Sequence, residues 1–198
     1  MDELVKQAMA KWPNVPHCYG WLRLDARGHW RMRDERAQHL NLPGDKIVHS
    51  ALLAFIARNY AADERGCWFF QNGPQRVYLQ LEATPYIART EPERGFLLHT
   101  GAALENIDAA WLCPSGELIL CAGAVVAQLD DRDLGQAMAL LELDGRAIDD
   151  EALLAWLDDG ADAGALTLRV GTRALPVGRL AHQALAAHFG FEPNPQPV

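Results

Sequence analysis

Alternation of apolar and polar residues is clearest in two stretches that both open on Trp-Leu, WLRLDARGHW from Trp21 and WLCPSGELIL from Trp111. In the first, Leu22, Leu24, Trp30 and Met32 share one face of a period-two pattern. Arg23, Arg31 and Arg33 share the other, and DARG supplies the turn, which reads as a half-buried β-hairpin. An amphipathic helix over residues 3–12 precedes it and ends before Pro13, and PNVPHC is an extended linker. After NLPGD the period changes: Ile47, Val48, Ala51, Leu52, Phe55, Ile56 and Tyr60 predict a helix over 46–60 with Asp45 as its N-cap. The run CWFFQNGPQRVYLQLEATPYIART then predicts two strands joined by a tight turn at Asn72-Gly73, with Pro85 at a strand edge or bulge.

The second Trp-Leu stretch predicts a hairpin over 107–121 around CPSGE, followed by a strand over 124–129. Residues 130–143 fit a short helix or a strand ending at Asp144-Gly145. Asp149 caps the helix DEALLAWL, and GADAG separates it from ALTLRV, a Gly171-Thr172 turn and RALPV. A last helix is expected over 179–189, before an extended tail, EPNPQPV. Both halves therefore run hairpin, helix, hairpin, and whether they are true duplicates stays open. The predicted fold class is α+β, antiparallel hairpins packed on helices. The expected organisation is an N-terminal helix and linker (1–18), two hairpin-helix-hairpin units (19–100 and 101–190) and a tail (191–198).

Composition narrows the function classes. No apolar run in the 198 residues approaches the roughly 20 needed to span a bilayer, and MDELVKQAMAKW lacks the basic and apolar regions of a signal peptide, so a cytoplasmic protein without membrane contact is expected. The four cysteines, at 18, 67, 113 and 121, match neither a zinc CxxC pair nor a disulfide framework, and reduced thiols are expected. Charge is uneven: residues 1–99 carry +2 and residues 100–198 carry −10. That asymmetry leaves room for a homo-oligomer or a basic partner.

The segments GWLRLDARGHWRMRDE, GDKIVH and WFFQNGPQRVYLQLEATPYIAR resemble a proteobacterial family of unknown function, over most of the chain as far as LPVGRL. In order of elements the chain also resembles, more distantly, a second bacterial family of unknown function. That family's pattern runs from a Gly-x-Trp hairpin through a helix and a strand pair to a strand ending in Ala-Pro-Phe, where this chain has Thr84-Pro85-Tyr86. The second resemblance implies repeated structural motifs and a role in signal transduction. Neither transfers a catalytic residue.

Candidate chemistry is sparse. His17-Cys18 is the one thiol-imidazole neighbour pair, but adjacent side chains of an extended segment point apart. Cys67, Cys113 and Cys121 read as small core residues. Histidines 17, 29, 39, 49, 99, 182 and 188 form no metal-spaced pair, and His182 and His188 fall on different helix faces, so no metal or other cofactor is expected. A calcium loop counted from Asp131 to Glu142 fails, with Gly135 and Gln136 at its fifth and sixth positions. No Walker or GxGxxG phosphate cradle is present.

Arg23, Arg27, Arg31, Arg33 and Arg36, with His29 and Trp30 among them, form the basic cluster of the chain. Guanidinium groups there suit a phosphate or another small anion, whereas the acidic neighbours and the acidic chain disfavour nucleic acid. The leading expectation is a non-enzymatic module with a regulatory or signalling role. It would bind a small anionic ligand or a protein partner through Arg23, Arg31 and Arg33 with Arg76, or through an aromatic groove beside helix 46–60. The alternative is a hydrolase or transferase using Cys18 or a histidine in a cleft between the units.

Overall fold

The computed structural model describes residues 1–159 and 164–197. The chain divides into two compact units, Met1–Pro85 with Phe189–Val198, and Tyr86–His188. The expected division near residue 100 and the one observed after Pro85 differ because residues 86–88 pair with residues 127–129, which ties the hairpin over 86–98 to the second unit.

In the first unit, helix α1 (Glu3–Lys11) stops ahead of Pro13 and buries Val5. Strands β1 (Cys18–Leu24) and β2 (Trp30–Met32) form the expected hairpin, with Leu22 opposite Met32, Arg23 opposite Arg31 and Leu24 opposite Trp30. A short helix that the pattern did not reveal, α2 (Glu35–His39), follows, with the Asp34 carboxylate accepting from the Ala37 N–H at 2.7 Å.

The helix expected over 46–60 is shorter at both ends. Asp45–Lys46 is an edge strand, β3, paired with β2, and the Ile47 N–H donates to the Trp30 carbonyl. Helix α3 (Ser50–Arg58) starts only after His49, whose Nδ1 accepts from the Leu52 N–H, so His49 rather than Asp45 is the cap. The β-branched Ile47 and Val48 favour the sheet edge over a first helical turn.

Strands β4 (Tyr60–Ala62), β5 (Trp68–Asn72) and β6 (Gln75–Leu81) complete a sheet ordered β3-β2-β1-β6-β5-β4. Asn72 pairs with Gln75, so the hairpin turn is Gly73-Pro74, one residue later than expected, and Gly73 carries the positive φ of +57°. The tail joins this unit, with a bridge between Cys67 and Glu192 and the Leu81 N–H donating to the Pro193 carbonyl.

The second unit opens with a hairpin, β7 (Tyr86–Glu91) and β8 (Gly95–Leu98). Strands β9 (Ala109–Leu112) and β10 (Leu118–Ala122) form the second Trp-Leu hairpin, and β11 (Val125–Leu129) follows. The ambiguous stretch contains both alternatives, α4 (Leu134–Met138) and then β12 (Leu141–Leu143), with β13 (Arg146–Ala147) after it. Helix α5 (Asp150–Asp159) is capped by Asp149, which accepts from the Ala152 N–H. The GADAG separator lies, apart from Gly164, outside the described residues.

Strands β14 (Leu166–Val170) and β15 (Arg173–Arg179) turn at Gly171-Thr172 as expected. The helix expected over 179–189 is reduced to one 3₁₀ turn at His182–Ala184 and α6 (Leu185–Phe189), because residues 177–179 continue β15 and pair with β9. The sheet order is β13-β12-β14-β15-β9-β10-β11-β7-β8. Its apolar face carries the core, with Leu98, Leu120, Leu129, Leu141, Trp156 and Leu168 all buried.

The α+β class holds, and the sheets are mixed rather than purely antiparallel. In each unit the first strand of a Trp-Leu hairpin lies parallel to the last strand of the unit's closing hairpin, β1 beside β6 and β9 beside β15.

Candidate functional site

Three hairpin turns share one backbone pattern. At Asp25, Asp63 and Cys113 the first residue's N–H donates to the carbonyl four residues on, and the glycine three residues on donates back to the first residue's carbonyl. Those glycines, Gly28, Gly66 and Gly116, have φ of +77°, +74° and +100°, where a side chain would be strained. In DARGH and DERGC the aspartate also caps the turn. Asp25 Oδ1 accepts from the Arg27 and His29 N–H groups, and Asp63 Oδ1 from the Arg65 and Cys67 N–H groups.

Around Asp25 the sheet collects arginines. Arg31 Nε donates to Asp25 Oδ2 at 2.7 Å and its Nη1 to the Gly44 carbonyl, while Arg23 Nη2 donates to Glu82 Oε2 at 2.8 Å. Burial would raise the Asp25 carboxyl, but the His29 N–H and the Arg31 guanidinium outweigh it and hold the group below its ordinary value. The two side chains are partly shielded, 20% and 25% exposed, and the Nε of Arg23 is buried with no hydrogen-bond partner.

Arg33 differs from both. It is 1% exposed, and its donors go to the Leu42 and Ala37 carbonyls, Asn41 Oδ1 and Gln80 Oε1. Among the described residues no carboxylate pairs with it. Burial, with the nearby Arg23 charge, lowers its pKa from the ordinary guanidinium value. Arg33 thus holds the 37–42 segment to the sheet, while Asp25 pairs with Arg31 and Glu82 with Arg23.

Arg76 is placed elsewhere. It lies four residues before Gln80 on β6, about 13 Å along the strand, with its guanidinium carbon 4.6 Å from the Phe69 ring centre. The aromatic region beside α3 is internal packing, Phe55 edge-on to Phe70 and Trp30 edge-on to Tyr60. The His17 ring packs edge-on to Tyr78, and Cys18 opens β1 opposite Val77. A cleft of about 340 Å³ beyond β2 has Met32, Leu42 and Pro43 among its apolar walls, with Asp34, Asp45 and Arg36 beside them. Its two carboxylates favour a cationic guest over an anionic one.

The second unit assembles a group that spacing did not reveal. One donor atom each from Cys113, Glu117 and His182 lies within 4.8 Å of the other two. Cys113 and Glu117 flank the CPSGE turn, while His182 comes from the 3₁₀ turn after β15, 65 positions beyond Glu117, so no local motif announces it. Burial and the Glu117 carboxylate push the Cys113 thiol up to about 11.

A family profile described as "Protein of unknown function (DUF2946)" matches residues 1–196. No curated protein matches the chain. The chain is also similar to a solved structure, a DUF1285 family protein from Silicibacter pomeroyi DSS-3, at 16% identity over 89% of this chain and 94% of that one, with a TM-score of 0.48.

Proposed function

Since the chain belongs to the family described as a protein of unknown function (DUF2946), a description that assigns no activity, we propose from the geometry that it is a non-enzymatic binding module whose first unit takes a small anion. The anion would carry a carboxylate or phosphate and be held by Arg23 and Arg31. The observation that carries this reading is the buried Arg23 Nε, without a hydrogen-bond partner, beside the Arg33 guanidinium, which no carboxylate among the described residues neutralises. A buried donor left unsatisfied costs about 1–3 kcal/mol, and an anion accepting from it would recover that cost and offset the excess positive charge. Arg33 serves as a positioning residue, keeping the 37–42 segment against the sheet. Arg76 is too far along β6 to share the same small anion. The regulatory role rests on the resemblance read from the sequence.

Calorimetric titration of the full chain with inorganic phosphate and with succinate tests the reading. Saturable binding to at least one, weakened tenfold or more in Arg23→Gln and Arg31→Gln, is the expected result. Equal binding by wild type and both folded variants overturns it.

A second reading is favoured by the cleft beyond β2. Met32 and Leu42 are 47% and 40% exposed there, and Asp34 and Asp45 supply negative charge. A protein segment with apolar and basic residues would suit that surface, and cross-linking from residue 42 would detect it.

A further inference from the structure

The geometry points to a divalent-metal site in the second unit, formed by Cys113 Sγ, Glu117 and His182 Nδ1, for a borderline-soft ion of the zinc class. Three observations carry it, all independent of the arginine face.

The first is convergence. One thiol, one carboxylate and one imidazole place a donor atom each within 4.8 Å of the others. Sulfur, nitrogen and oxygen donors in threes are the set that zinc takes where a fourth position is left to water, and a thiolate selects against magnesium and calcium.

The second is an unresolved contact. His182 Nδ1 is shielded from solvent and lies 3.3 Å from Glu117 Oε1, yet it makes no hydrogen bond. A cation between the two atoms would satisfy both lone pairs.

The third is the turn. Where the equivalent turns of the first unit place Asp25 and Asp63 to cap backbone N–H groups, this turn places Cys113, fully buried. A thiol is a poor cap, and its place in this turn sets its sulfur beside Glu117 and His182. Ser115 Oγ donates to Glu117 Oε2 at 2.5 Å, a support of the kind that orients metal-binding carboxylates.

Donor atoms around tetrahedral zinc stand about 3.3–3.7 Å apart; the Glu117 and His182 donors, 3.3 Å apart, already have that spacing, and the widest separation in the group closes by about an ångström. Glu117 and His182 have the freedom to allow this, their side chains being 26% and 40% exposed. The hydrogen bond from the Leu180 N–H to the Leu112 carbonyl already holds the backbone before His182 beside the end of β9.

The test is titration of chelator-stripped full-length protein with Zn²⁺ by calorimetry and with Co²⁺ by absorption. One equivalent of Zn²⁺ should bind, with a thiolate-to-cobalt band in the near ultraviolet. Cys113→Ser should abolish the band, His182→Ala should weaken Zn²⁺ binding a hundredfold or more, and Cys18→Ser should change neither. Absence of saturable Zn²⁺ binding, or of the thiolate band in wild type, overturns the site. So does binding that is unaltered in both Cys113→Ser and His182→Ala. Should either variant fail to fold by circular dichroism, Glu117→Gln replaces it, and the wild-type cobalt spectrum still decides.

Discussion

Trp111 of β9 lies directly over Gly178, its parallel partner on β15. A Cβ placed on Gly178 would stand 2.4 Å from the indole Cε3. The His188 ring packs edge-on against the same indole, its centre 4.8 Å away. The ring fills the space a side chain would need, and that permits the close joining of the two hairpins in the second unit.

Gly178→Ala should therefore destabilise the protein by about 1–3 kcal/mol, because the indole must leave its position to accommodate one methyl group. Chemical denaturation would show a lower midpoint with an unchanged slope. A second change, Trp111→Leu, should recover part of the loss if the clash is the cause.

Arg33 supports a second prediction. Replacing it with Ala leaves the Leu42 and Ala37 carbonyls and the Gln80 and Asn41 side chains without their donor, at a cost on the order of 3 kcal/mol. Arg33→Lys should recover only part of this, since an ammonium cannot reach acceptors spread around a planar fork. Hydrogen exchange confined to residues 37–44 would locate the loss.

The hairpins were legible because their information is local: alternation, turn residues and positive-φ glycines lie within a dozen positions. Both Trp-Leu hairpins and the Gly171-Thr172 turn follow from that. The helices over 46–60 and 179–189 were overextended because residues 45–47 and 177–179 pair with β2 and β9, strands far away in sequence. The same limit hid the candidate sites. Period-two reading put Arg33 on an open arginine face, but β2 ends at Met32 and the chain folds back over Arg33. Cys113 and Glu117 are neighbours of a turn, but nothing in spacing brings His182 to them.

His99 carries a pH prediction. Its Nδ1 accepts from the Ile87 N–H at 3.2 Å, so the ring is neutral with its proton on Nε2, and burial holds its pKa down to about 3 from an ordinary 6.5. Between those values the unfolded chain binds the extra proton. Stability should therefore fall as pH is lowered through 6.5, by up to roughly 1.4 kcal/mol per unit, and level out near pH 3. Denaturation midpoints of wild type and His99→Gln from pH 7 to 4 would show a steeper decline in wild type.

Thiol accessibility provides a fourth. Cys67, Cys113 and Cys121 are buried, and Cys18 is partly exposed. Native labelling with iodoacetamide should reach one equivalent, at Cys18, with the other three reacting only after denaturation, as peptide mass mapping would report.

If the first unit binds a small anion as proposed, the Arg23 Nε–H meets it, and its own resonance reports on it. In an arginine-side-chain ¹H–¹⁵N spectrum of the full chain, titration with phosphate or succinate should move the Arg23 Nε–H signal saturably. The Arg33 Nε–H, already bonded to the Leu42 carbonyl, should stay in place. An Arg23 signal unmoved by both anions, or one that moves no more than that of Arg33, would contradict the account.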